Sequence, residues 1–217
     1  MPAEFVPTPF LRNRDREILD ILARKVPFLS LRQIADAFFA SDMGNAIRRL
    51  ATLEENGWLA SYRMNARTSP AIDALLIAWN PGQDQAHSSR IAFQLSKRWL
   101  RQGTRMRLCY FAGKKFEAVT GIPCQTKPSH QMQASHDLGL AALYLFFRTQ
   151  RPDDAALWVG EKAYTCFDGK SQRPDAVLLD AAGKPTKAIE FGGLYNSKRL
   201  DRFHRWCQQR SLPYELW

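Results

Sequence analysis

Asp175 and Glu190 are the residues of this chain whose type and spacing most directly suggest chemistry. They lie in the stretch RPDAVLLDAAGKPTKAIEFGG, Arg173–Gly193. Pro174-Asp175 opens one short apolar run, Gly183-Lys184-Pro185 makes a turn, and a second apolar run ends on Glu190. Read as a β-hairpin, the stretch carries the two carboxylates on opposite strands to one sheet edge. Converging acidic oxygens are what a hard divalent cation such as Mg²⁺ or Mn²⁺ requires. Glu190 interrupts an otherwise apolar strand, where an unpaired carboxylate is costly, so it needs a cation, a base or a metal as its partner. Glu161, in WVGEKAY, is a candidate third acid.

The composition is that of a folded chain with a polyanionic partner. Of 217 residues, 45% are hydrophobic and 24% charged, and the net charge is +10. Such a balance favours nucleic acid as the partner. The first 67 residues are nearly neutral. Between Asp84 and Glu117 there is no acid, while Arg90, Lys97, Arg98, Arg101, Arg105, Arg107, Lys114 and Lys115 all fall there. That run reads as a phosphate-binding surface. No apolar run reaches the ~20 residues of a membrane span, and the N-terminus lacks a signal-peptide pattern. The expectation is a cytoplasmic protein with no membrane partner and with Cys109, Cys124, Cys166 and Cys207 reduced.

Positioning these residues requires two kinds of element. Asn13–Lys25, the capping box Ser30/Gln33 with its helix, and a third helix ending at Gly57 form the N-terminal part. Two strand-like runs follow, Trp58–Arg63 and Ile72–Trp79, joined by a basic segment. This order, with LEENGWLASYR as its most diagnostic piece, resembles a winged helix-turn-helix. The resemblance implies that the third helix enters the major groove and that the hairpin touches a flanking groove. It places Ser41, Asn45, Arg48 and Arg49 on the recognition helix and Arg63 and Arg67 on the wing. Arg98, Arg101, Lys114 and Lys115 extend the expected DNA contact along the basic run. The expected organisation is a winged-helix domain over 1–80, a linker and basic helix over 81–104, and a second domain over 105–217.

The second domain reads as α/β (α+β overall), a mixed central sheet flanked by helices. A strand with Pro-Asp, a strand with Glu, a helix and a final strand follow in order. That sequence of parts resembles the restriction-endonuclease-like PD-(D/E)xK core. The resemblance implies Mg²⁺ or Mn²⁺ on Asp175, Glu190 and Glu161, and a lysine two residues past the second acid to position water. Gly192 occupies that lysine position. Lys198, on the next helix, could supply the amine instead, and Tyr195 or His136 could orient the nucleophile.

The blocks HDLGLAALYLFF, RPDAVLL and AIEFGGLY behind a winged helix are similar to the plasmid replication-relaxation family, which includes MobC-type mobilisation proteins. This implies action at a double-stranded plasmid origin, alone or with relaxosome or replication proteins. Two readings stay open. One is a metal-dependent DNA nicking enzyme (a relaxase or endonuclease); the other is a DNA-binding accessory protein with a degenerate nuclease fold.

Overall fold

The computed structural model describes residues 10–69, 71–72, 74–128, 133–164 and 173–217. In chain order its elements are α1 (Asn13–Arg24), β1 (Leu29–Ser30), α2 (Leu31–Phe38), α3 (Met43–Glu55), β2 (Leu59–Arg67), β3 (Ile77–Trp79), α4 (Ser88–Leu100) and β4 (Thr104–Ala112). They continue with α5 (Lys114–Thr120), α6 (Ala134–Gln150), α7 (Pro152–Leu157), β5 (Trp158–Gly160), β6 (Ala176–Leu179), β7 (Pro185–Glu190), α8 (Ser197–Gln209) and β8 (Tyr214–Leu216). The chain is mixed α and β with two sheets. No helix among the described residues is long and apolar enough to cross a membrane.

The elements divide between two compact units, one formed by the chain to Ala66 with Thr104–Ala141, the other by Arg67–Gly103 with Ala142–Trp217. This division differs from the expected 1–80, 81–104 and 105–217. Strand pairing is the reason. In the first unit the sheet order is β1-β4-β2, so the partner of β2 is β4, drawn from 37 or more residues later in the chain.

The expected wing partner, Ile72–Trp79, joins the other unit instead. There β3 pairs antiparallel with β8, Trp79 opposite Tyr214. Trp79 is buried, stacked on Tyr214 at 5.5 Å between centroids and edge-on to His204 at 5.0 Å. Burying that indole outweighs the local preference for a short hairpin.

In the first unit, α2 and α3 are set by their caps. Ser30 Oγ accepts from the Gln33 backbone N–H at 3.3 Å and Gln33 Oε1 accepts from the Ser30 N–H at 2.9 Å, the reciprocal box read from the sequence. Gln33 Nε2 also donates to the Leu138 carbonyl at 3.0 Å. Asp42 caps α3 by accepting from the Asn45 N–H at 2.9 Å. Gly57, at φ +75°, ends it. Ile18, Leu19, Leu22, Ile34, Leu50 and Leu53 fill the space between the helices, and Phe28 packs on Phe111 at 4.8 Å. Gly113 lets β4 approach the α3–β2 connection: a Cβ there would lie 2.2 Å from the Gly57 carbonyl oxygen.

The second unit is built on a sheet of order β3-β8-β7-β6-β5, in which β7 and β8 run parallel and the other pairs antiparallel. Helix α4 is part of this unit rather than a free linker. Its Ile91 and Leu95 join Tyr195, Leu200 and Leu216 in one buried cluster. Phe147 meets Trp158 and Trp217 at 5.1 and 5.6 Å, closing the core over the sheet. Cys109, Cys124 and Cys207 are free thiols. Burial pushes the first two up to about 12 and about 11, so they stay protonated at neutral pH. Cys166 lies outside the described residues.

Candidate functional site

The Asp175–Glu190 hairpin forms as expected. β6 and β7 pair antiparallel with Ala176 opposite Ile189, so Asp175 and Glu190 stand side by side just past the last paired residues. Both are buried, Glu190 with 1% of its surface exposed.

Each carboxylate closes the end of the other's strand. The Asp175 N–H donates to Glu190 Oε2 at 3.2 Å, and the Phe191 N–H donates to Asp175 Oδ2 at 2.7 Å. Two backbone donors that run past the ladder are thereby satisfied. Glu190 Oε1 accepts from the Tyr195 hydroxyl at 2.8 Å. Arg199 completes the node: its Nη2 donates to the Tyr195 oxygen at 3.0 Å and lies 3.9 Å from Glu190 Oε1, with the guanidinium 3.8 Å from the Tyr195 ring centroid.

This arrangement answers the question that Glu190 raises in the sequence. Its partners include a phenol, a backbone amide and an arginine. Burial, then the charges of Glu190 and Asp175, raise Tyr195 well above the usual phenol range against the pull of Arg199. Tyr195 therefore stays protonated and serves as a donor, which disfavours it as a nucleophile at neutral pH. A Tyr195→Phe variant should lower stability by about 1–3 kcal/mol, toward the lower end because Arg199 is close enough to replace part of the lost bond. The shift of the urea unfolding midpoint measures it, and an unchanged midpoint contradicts the assignment.

The charged partner that Glu190 has in this arrangement is a guanidinium, and each of its oxygens already receives one protein donor. A divalent cation would need further oxygen ligands, from water or from other residues, beside these two acids. Glu161, expected as the third ligand, is exposed on the turn after β5, where its backbone N–H donates to the Asp175 carbonyl at 2.9 Å. Among the described residues no group of three His, Cys, Asp or Glu side chains able to hold a metal is assembled.

The other catalytic candidates fall elsewhere. Lys198 is exposed and makes no hydrogen bond or ion pair to the acids; one residue on, Arg199 takes the place expected of it. His136 belongs to the first unit, not to the unit that carries the acids, and stands 3.5 Å from Asp137.

The surroundings of Gly192 leave no room for the lysine that the sequence resemblance implies there. A Cβ at Gly192 would stand 2.3 Å from Leu95 Cδ2 and 3.1 Å from the Trp217 carbonyl oxygen. The Gly192 N–H donates to that same carbonyl at 2.8 Å, and the Gly192 carbonyl accepts from Trp99 Nε1 at 2.7 Å. Helix α4 and the C-terminal residue thus fill the volume that a side chain would need.

The expected DNA contacts separate into free and engaged side chains. On α3, Asn45 and Arg48 are exposed, and Arg48 Nη2 donates to Asn45 Oδ1 at 2.6 Å. Arg49 is not on the outer face; it grips the buried Asp15 at 2.6 Å and the Phe10 carbonyl at 2.9 Å. Ser41, at φ +64° in the left-handed turn before α3, donates its hydroxyl to Asp36 at 2.8 Å. Arg63 is exposed on β2. Arg67 donates to the Trp99 carbonyl at 2.9 Å instead of standing on a wing.

The basic run is divided between the two units. Arg90, Lys97, Arg98 and Arg101 belong to the second unit, and Arg105, Arg107, Lys114 and Lys115 to the first. Arg98 is structural: it stacks on Phe191 at 4.9 Å and donates to the Trp217 carbonyl at 3.1 Å. Lys115 lies over the Trp58 ring at 4.8 Å, while Lys114 and Arg101 are exposed.

A more coherent basic face lies on α8. Leu200, Phe203, His204, Trp206 and Cys207 point inward, and Lys198, Arg202 and Arg205 form the opposite, exposed face. Among the described residues none of these three is in a salt bridge; the helix's one acid, Asp201, is held by Ser88 and Gln85, and the charge of Arg205 acts on it as well. The i, i+4, i+7 spacing of the three cations carried this signal in the sequence. Comparison of the chain with protein-family models, with characterised proteins and with solved structures finds no match.

Proposed function

We propose that the protein binds double-stranded DNA and does not cut it, acting as a DNA-binding accessory protein of the plasmid replication-relaxation type. The observation that carries the reading is the exposed face of α8, where Lys198, Arg202 and Arg205 stand in line, none of them in a salt bridge among the described residues and only Arg205 within the field of an acid, Asp201. Uncompensated cations along one helix face match the spaced charges of a phosphate backbone.

The first unit supports the same reading. Three helices followed by a sheet of order β1-β4-β2 accord with a winged helix-turn-helix whose hairpin is opened by an insertion, and α3 carries the exposed Asn45 and Arg48. In the second unit, the succession β6, β7, α8, β8 accords with the endonuclease-like order that the sequence resemblance implies. Its acids are consumed in closing the hairpin, and the motif lysine has no room. Relaxosome or replication proteins at an origin are the further partners that this reading calls for.

A second reading, metal-dependent nicking, is favoured by one observation: two buried carboxylates from adjacent strands meet at a single node. One experiment separates the two. Supercoiled plasmid is incubated with the protein in Mg²⁺ or Mn²⁺, then run on gels before and after protein removal. The expected result is a retarded complex that releases intact supercoiled plasmid. Open circles formed by the wild type but not by Asp175→Ala or Glu190→Ala would establish the second reading, and a plasmid that is not retarded would remove the first.

A further inference from the structure

The first unit holds a basic cleft that extends the expected recognition-helix contacts to residues no sequence motif singles out, Arg12 and Arg14. It lies between the start of α1 and the middle of α3, is open to solvent, and encloses about 640 Å³. Arg12, Arg14, Arg48 and Arg49 line it, and no acidic residue does. Volumes of this order accommodate one or two nucleotide-sized groups.

Two of the four guanidiniums are fixed before any ligand arrives. Arg14 stacks on the Phe39 ring, 3.7 Å from its centroid, and Nη1 donates to the Phe38 carbonyl at 3.4 Å, leaving Nη2 without a hydrogen bond. Arg49 is anchored by Asp15, whose charge it neutralises. Arg48 is steadied by Asn45, which in turn donates to the α3 cap Asp42. Arg12 makes no side-chain hydrogen bond or salt bridge. Arg12, Arg14 and Arg48 therefore face one cleft; among the described residues no acid is in a salt bridge to any of them, and Asp42 offsets the charge of Arg48 only in part. Like charges at close quarters repel, and an anion relieves that repulsion. The planar fork of arginine favours phosphate oxygens, and a guanidinium already held in place loses less freedom on binding.

We propose that this cleft is a phosphate-anchoring site that grips the backbone of bound DNA, with Arg12, the residue before α1, and Arg14 of α1 as contacts beside Arg48 of α3. The inference rests on the DNA-binding reading and deepens it: the first unit holds DNA by its phosphates at the α1–α3 junction. Such contacts fix position without reading sequence.

The test is the affinity of a fluorescein-labelled 20-bp duplex, measured by anisotropy across a salt series. The wild type is compared with Arg12→Ala/Arg48→Ala and with Arg32→Ala, an exposed arginine outside the cleft. The double variant is expected to bind roughly tenfold or more weakly at low salt, with the slope of log K against log salt reduced by about two. The Arg32 variant should match the wild type. Equal affinity and slope in wild type and double variant would overturn the cleft assignment while leaving DNA binding intact. A wild type that does not bind would overturn both. Inorganic pyrophosphate separates a free anion from the backbone as the ligand. If pyrophosphate raises the melting temperature of the wild type but not of the double variant, while their duplex affinities agree, the backbone assignment fails.

Discussion

Gly192→Lys, which installs the cation that the resemblance to a nuclease core implies, is expected to lose stability and gain no DNA cleavage. The first added atom already collides with Leu95, a residue with 0% exposure, and a longer chain has no exit past Trp217 and Trp99. Gly192→Ala isolates the steric part, about 1–3 kcal/mol of overpacking. The lysine adds the cost of an ammonium forced toward a site whose acids, Asp175 and Glu190, already have donors, for a total on the order of 3 kcal/mol or more. Unfolding midpoints in urea measure both variants. Leu95→Ala combined with Gly192→Ala should be less destabilised than the sum of the single changes, because the two side chains compete for one space. A Gly192→Lys protein as stable as the wild type, or one that nicks plasmid, contradicts the account.

Loss of Glu215 is expected to be comparably damaging. This buried residue of the central strand β8 receives four donors. Arg151 gives two, at 2.7 and 3.0 Å, Lys187 one at 2.8 Å, and Trp217 Nε1 one at 3.0 Å. Arg151 also lies over the Phe147 ring at 4.4 Å, so the carboxylate ties β7, β8 and the end of α6 into one network. Breaking a fully buried pair costs about 3–5 kcal/mol, and because the two cations are partly exposed, Glu215→Ala should cost roughly 2–3. Burial alone would raise this carboxyl, but the bonds and charges of Arg151 and Lys187 outweigh it and hold it below the usual glutamate value of 4.5. The unfolded chain therefore binds the proton more readily. Stability from this group is complete above about pH 4.5 and is lost as the pH falls through the folded-state value. Acid titration of the unfolding midpoint should show that loss in the wild type and a weaker dependence in Glu215→Ala. The same acid dependence in both would remove Glu215 from the account.

The hairpin and its acids were legible because their signals are local. A Pro-Asp entry, a turn, and a charged residue closing an apolar run define β6, the turn and β7 without help from the rest of the chain. The caps of α2 and α3 were legible for the same reason. What each acid bonds to was not. Tyr195 and Arg199 reach Glu190 only because α8 begins where it does, and the Glu215 network joins residues 64 positions apart. The wing strand misled for the opposite reason. Ile77–Trp79 has the composition of a hairpin partner, yet burying Trp79 against Tyr214 commits it to β8. Arg49 and Arg98 read as free cations because a sequence does not reveal that Asp15 and the Trp217 carbonyl wait for them. The run of eight basic residues joined by sequence is divided by fold, whereas α8 keeps its cations on one face.

That face gives the most direct measurement of the central claim. Binding of duplex DNA across a salt series should yield a straight line of log K against log salt with a steep negative slope. In Lys198→Ala/Arg202→Ala/Arg205→Ala the slope should shrink by about one for each phosphate contact removed, roughly three in all. These side chains are exposed and form no salt bridge among the described residues, so the triple variant should fold as the wild type does. A wild type that shows no binding even at low salt, or a triple variant with an unchanged slope, would contradict the account.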